Sequence, residues 1–374
     1  MIYFPNLNGL RFIAAFLVIT CHIELIKSFP NIDHYWGTLP FIGIIGSLGV
    51  VLFFVLSGFL ITYLLLSEEL KYHHISIKNF YVRRILRIWP LYLLIILLAF
   101  LILPNIDFFT LPGLEKEIVY KGIFLKIILY LFFLPNLVFP LFGTYSYATH
   151  TWSIGTEEQY YLAWPFILRL FKKNRISLMF FIVLVYLLIA GALTSDYSNF
   201  IPHKQVIKDF FTNFHIDCLA IGSFFALLLF QKSRFLKLFI NKYLFYITVI
   251  FVCTIMLFGI HIPYIHTQFY ATLFGIVIIN FAANSEINIS LENKILNYLG
   301  KISYGLYMYH PICIVLSLQL ARIIDFTSNW LLYPLSFIFT IFISAISYRF
   351  YESIFLRYKI KFSAFLSGGG PARV

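Results

Sequence analysis

The sequence predicts an all-α polytopic membrane protein with about ten transmembrane helices and a re-entrant or interfacial segment near residues 123–142. Three observations predict it. Of 374 residues, 61% are hydrophobic, 20% aromatic and only 12% charged, whereas a soluble domain is about 45–50% apolar. Apolar runs of the length a bilayer needs, about 20 residues, recur along the whole chain. The formal charge of +12 comes from Lys and Arg gathered in short clusters between those runs, which is the pattern of cytoplasmic loops rather than of a nucleic-acid surface. Cys21, Cys218, Cys253 and Cys313 lie in apolar stretches with no C-x-x-C spacing, so no metal is expected.

The candidate spans, in order, are 10–26, 41–66, 88–103, 157–171, 176–193, 213–230, 243–260, 267–283, 302–320 and 331–350. The first has Arg11 at its start and no small-residue cleavage site after it, so it reads as a retained helix and not a signal peptide. Segment 123–142 is apolar but contains Pro135, Asn136 and Pro140. If it does not cross, both termini are cytoplasmic. The inner loops then hold the basic clusters Lys71–Arg87, Lys172–Arg175, Lys232–Lys242 and Lys294–Lys301, in accord with the positive-inside rule. Irregular backbone at membrane depth must line protein or a water-filled cavity, so residues 135–153 are a candidate cavity wall. Residues 1–366 read as one transmembrane domain without internal repeats. The small-residue tail 367–374 reads as an unrelated linker.

Ionisable residues within spans are read as functional. Arg11 and His22 are eleven residues apart, about three helical turns, and so share a face about 16 Å apart. Glu24 points elsewhere and reads as a snorkelling or surface-paired residue. His310 lies about 14 Å above Lys301, and Glu157 about 18 Å above Arg169, by helical rise. His22, Glu157 and His310 are therefore expected at similar depth, where a carboxylate beside an imidazole makes a general base. Arg83, Arg84 and Arg87 sit at a helix start, where guanidinium forks suit phosphate groups or anionic lipid.

Together "NLNGLRFIAAFLVITCH", "GVVLFFVLSGFLIT", "RRILRIWPLY", "WSIGTEEQYYLAWP", "HIDCLAIG", "LGKISYGLYMYHP" and "SYRFYES" resemble, in order and over nearly the whole chain, the acyltransferase 3 family of integral membrane acyltransferases. The resemblance implies a ten-helix core that takes an acyl group, acetyl above all, from cytoplasmic acyl-CoA to a sugar hydroxyl of a surface glycan or lipid-linked precursor. It implies a bacterial cytoplasmic membrane. It places His22, as general base or transient acyl carrier, and Glu157 in the catalytic position, with Glu157 orienting His22. It places Arg11, Arg83, Arg84, Arg87, Ser303, Tyr304 and His310 around the acyl-CoA donor. His215 stands where the family often has arginine, ahead of Asp217, which puts both residues on the acceptor side, and "YESIF" lacks the family's proline. Membrane lipids are further partners; nucleic acid is not.

The rival reading is a secondary transporter using the same His, Glu and Arg residues as a proton or substrate route, although the repeat symmetry frequent in transporters is not seen. A structural membrane subunit is a third. It leaves the mid-membrane polar residues without a role.

Overall fold

The computed structural model describes residues 2–143, 145–362 and 372–373. The linker-like tail lies outside the described residues except Ala372–Arg373, which pairs with Ile2–Tyr3 as a short parallel ladder. Among the described residues, all other regular structure is helical. The first third contains α1 (Leu7–Ser28), α2 (Pro40–Tyr72), α3 (Ile77–Leu97), α4 (Lys116–Tyr120), α5 (Ile123–Leu131) and α6 (Val138–Phe142). The middle contains α7 (Trp152–Leu170), α8 (Arg175–Thr194), α9 (Lys204–Asn213), α10 (Ile216–Phe230), α11 (Leu236–Phe239) and α12 (Lys242–Leu257). The chain continues through α13 (His266–Ala283), α14 (Lys294–Lys301), α15 (Ser303–Ile323), α16 (Asn329–Ser347) and α17 (Ser353–Ile360).

Among the described residues, eight helical stretches are long and apolar enough to cross a bilayer. Two further expected spans are α7, which carries Glu157, Glu158 and Arg169, and α12, which has only 16 residues. Their charge and shortness, respectively, keep them from that set. Where helices start in polar loops, side chains cap them: Ser76, Asn241, Asn293 and Ser328 each accept from a backbone N–H of the first turn of α3, α12, α14 and α16.

Segment 123–142 does not form a spanning helix. It breaks into α5, a turn through Phe133 at φ 56°, and the five-residue α6. The path of the chain agrees. Glu69, near the end of α2, bonds Lys172 at 2.8 Å and Arg175 at 2.6 Å, so the chain returns to the same end of the bundle after α3 and α7 cross. An additional crossing between them would put Lys172 at the opposite end.

α2 is the central helix and α8 the most peripheral: 72% of the apolar window of the first is buried against 17% of the second. The exposed Phe180, Phe181, Leu184 and Leu188 of α8 form a lipid-facing surface. α2 packs most closely on α10. A Cβ at Gly58 would lie 2.0 Å from the Leu219 carbonyl oxygen, and one at Gly222 would lie 2.1 Å from that of Val55. Only glycine permits this backbone approach. The seam continues in polar contacts: Thr62 Oγ1 donates to Ser223 Oγ at 2.7 Å, Tyr160 shares a hydrogen bond with Ser223 at 2.6 Å, and Trp164 Nε1 donates to Thr62 Oγ1 at 2.8 Å. These tie α7 to α2 and α10.

Glu24 is not at the surface as expected. It is fully buried, where it receives Lys27 Nζ at 2.9 Å, Tyr333 OH at 2.7 Å and the Tyr35 backbone N–H at 2.5 Å. Lys27 also reaches Asn329 Oδ1 at 2.5 Å. A buried carboxylate with an ammonium and two further donors is compensated, and the network closes the end of the bundle remote from the arginines.

Candidate active site

Pro311 follows His310 inside α15. A residue there would normally donate its N–H to the carbonyl four residues back, Tyr307, but proline has none. The freed Tyr307 oxygen instead lies 2.6 Å from His310 Nδ1. A carbonyl only accepts, so His310 Nδ1 carries the proton, and in the neutral ring Nε2 is then an acceptor. His310 Nε2 is 2.7 Å from His22 Nδ1, with the ring planes within 14° of parallel and centroids 4.9 Å apart. His22 Nδ1 must therefore donate. This leaves His22 Nε2 with a free lone pair, the state a general base requires.

A third imidazole completes the layer. His150 lies just ahead of α7, its ring 4.9 Å from that of His310. It is buried, and neither ring nitrogen has a partner. Tyr307 OH donates to the His150 carbonyl at 2.7 Å and meets Ser153 Oγ at 2.8 Å. Sequence reasoning missed His150 and Tyr307. The run "THTWS" held a signal for His150, because it lies in the segment marked as a cavity wall.

On one side of this layer lie two adjoining cavities. One, of about 100 Å³, is lined by Arg11, Arg84, Arg87, Glu157, Ser303, Tyr304 and Tyr307. The other, of about 400 Å³, opens at the arginine-rich end and adds Arg83, Lys301 and Lys359. Arg11, Ser57, Arg84, Arg87 and Tyr161 line both. The sequence marked the arginines, Ser303 and Tyr304. It did not mark Lys359, brought in by α17 packing on α3, and it used Lys301 only as a boundary. Arg83 differs from its neighbours: Nη2 pairs with Glu68 Oε2 at 2.7 Å and Nη1 donates to the Phe362 carbonyl at 2.8 Å. Arg84 and Arg87 have no ion-pair partner among the described residues, which leaves their charge for a ligand.

On the other side, a cavity of about 160 Å³ is lined by His22, His150, Tyr145, Thr149 and Trp152. His22 and Glu157 thus face different cavities. Glu157 accepts from Ser57 Oγ at 2.7 Å and Tyr161 OH at 3.0 Å, and no contact joins it to His22. It sits one turn, about 6 Å, beyond Ser153 toward the arginines. The structure brings His22 against His310, whereas Glu157 lines the arginine-side cavity. His310 lines neither of the two arginine-side cavities and contacts His22, which Glu157 does not.

His215 occupies the N-cap position of α10 without a side-chain capping bond, beside Trp152, ring centroids 5.9 Å apart. Asp217 is buried in the first turn, where Gln268 Nε2 donates to it at 2.6 Å. Ligand-capable atoms of His215, Asp217 and Cys218 lie within 4.8 Å of one another, but the positive end of the helix dipole favours the Asp217 charge over an added cation.

A cationic cavity inside the helical bundle is separated from a layer of histidines by Tyr307, whose ring is 5.7 Å from that of His310. Comparison with known proteins decides the family: the acyltransferase 3 model, an acyltransferase domain, matches residues 4–349. The chain belongs to that family. It is 28% identical over 386 aligned positions to a Staphylococcus aureus (strain COL) protein provisionally named an O-acetyltransferase, covering 96% of this chain and 58% of that protein. It is 33% identical over 175 positions to peptidoglycan O-acetyltransferase OatA of Listeria monocytogenes serovar 1/2a, covering 46% of this chain and 25% of OatA. Acyltransferase MdmB of Streptomyces mycarofaciens is 34% identical over 170 positions, covering 45% and 40% respectively. The chain spans a little over half the length of the staphylococcal relative. No solved structure matches it.

Proposed function

We propose that this integral membrane protein is an O-acetyltransferase that moves an acetyl group from cytoplasmic acetyl-CoA to a sugar hydroxyl of a cell-surface glycan or lipid-linked precursor. In this reading it resides in a bacterial cytoplasmic membrane with the arginine-rich end and both termini inside. The observation that carries the reading is the histidine pair, whose tautomers leave the His22 Nε2 lone pair free beside an uncharged cavity, with Tyr307 of the cationic cavity packed against the partner His310.

Arg84 and Arg87, with Arg11, Lys301 and Lys359, hold the donor phosphates. The pantetheine arm passes Ser303, Tyr304 and Glu157 and brings the thioester to Tyr307. The acceptor hydroxyl enters from the far side. His22 Nε2 takes its proton as the oxygen attacks the thioester carbonyl. The C–S bond then breaks, and the proton passes to the departing CoA sulfur. The products are an ester and free CoA, with no redox change.

The test follows both products. Purified protein in nanodiscs, given [14C]acetyl-CoA and an envelope lipid extract, should release CoA thiol and place alkali-labile label on a glycan. The transporter reading predicts uptake of acetyl-CoA or substrate into proteoliposomes with no thiol released, and that result would replace this proposal.

A further inference from the structure

The uncharged side of the histidine layer is larger than the cavity at His22. A second cavity of about 220 Å³, lined by Asn136, Asn213, Tyr145, Thr149 and Trp152, shares the last three residues with it. Neither lining contains Asp, Glu, Lys or Arg among the described residues. That contrasts with the cationic donor cavity one side-chain layer away, since Tyr307 lines the donor side and its ring is 5.3 Å from that of His150, which lines the uncharged side.

We propose that these two cavities form one acceptor chamber for an uncharged sugar, with His150 hydrogen-bonding a hydroxyl next to the one acetylated. The proposal rests on the acetyltransferase reading and adds the class of acceptor and its site. Three observations carry it. Trp152 and Tyr145 supply aromatic walls, which suit the apolar C–H face of a sugar ring. His150 is buried with both ring nitrogens unpartnered, on the wall it shares with His22, and an orphaned buried donor–acceptor group calls for a ligand hydroxyl. Asn213 spends its side-chain N–H on the Asp209 carbonyl, and its side-chain oxygen has no protein donor among the described residues.

An acceptor carrying a phosphate or carboxylate at this point would lose its water and find no counter-charge. His215 adjoins the chamber through Trp152 and adds no fixed positive charge in its neutral form. The same position filled by arginine would offer one. The His215 ring thus matches the chamber's neutrality.

The experiment uses the full chain in nanodiscs with [14C]acetyl-CoA and a panel of octyl glycosides: hexose and N-acetylhexosamine, against the corresponding uronic acid and 6-phosphate. Neutral glycosides should take up label with kcat/KM at least tenfold above the charged ones. Trp152→Phe, Thr149→Val and His150→Gln should each raise the glycoside KM several-fold while leaving the acetyl-CoA Kd within twofold; thermal melting identifies any variant that has lost its fold. Equal use of charged glycosides, or an acetyl-CoA Kd that rises in step with KM in the folded variants, overturns the chamber. If no neutral glycoside is labelled while acetyl-CoA still binds and is slowly hydrolysed, the sugar assignment falls. If the wild-type protein releases no CoA at all, the transferase reading itself falls.

Discussion

His22 is held in a reactive tautomer by its neighbour, so its partner should matter through geometry. His310→Ala should cut turnover about tenfold or more while sparing acetyl-CoA affinity. His310→Gln, whose side-chain oxygen can accept from His22 Nδ1, should recover part of that loss. Equal losses in both variants would show that the ring is needed for packing alone. The arginines divide by their partners. Arg84→Gln and Arg87→Gln should each weaken acetyl-CoA binding about tenfold or more, since a hydrogen bond to a charged group contributes roughly 1.5–3 kcal/mol. Arg83→Gln should mainly lower thermal stability, because Arg83 already serves Glu68 and the Phe362 carbonyl. Titration calorimetry with acetyl-CoA separates the two outcomes, and equal affinity losses across all three would refute the division.

One helix and one helix pair carry the most structural consequence. In α15, Pro311→Ala restores a backbone N–H that competes with His310 Nδ1 for the Tyr307 carbonyl. The variant should be at least as stable as the parent yet slower in acyl transfer. An unchanged rate would mean that the carbonyl does not set the tautomer. In the α2–α10 crossing, Gly222→Val must push backbone against backbone, and a loss of about 1–3 kcal/mol or more is expected in detergent unfolding. Much of this was readable beforehand. Pro135, Asn136 and Pro140 announced that 123–142 would break, and "YHP" announced a proline beside a candidate histidine. What the sequence could not show is which carbonyl the histidine would find, because that depends on side-chain rotamer as well as helical phase. Nor could it show that Glu157 would line a different cavity from His22, because rise per residue measures distance along one helix, not the offset between helices.

At the scale of the molecule, the basic clusters told which loops share a side, and the Glu69 bonds to Lys172 and Arg175 agree. Single cysteines near Lys172 on a cysteine-free background should resist impermeant maleimide added to intact cells. Labelling there would contradict the topology. Long-range assembly was less legible. Lys359, His150 and Tyr307 belong to the site only because α17, the segment before α7 and α15 converge on it, and no local pattern records that convergence. The central claim is that His22 performs acyl transfer between a cationic donor cavity and an uncharged acceptor chamber. Single-turnover transfer from acetyl-CoA, followed alongside acetyl-CoA binding in His22→Ala, tests it most directly. The account predicts a loss of about a hundredfold or more in rate with binding nearly intact. A rate near that of the parent, or a loss of binding that accounts for the whole loss of rate, would contradict it.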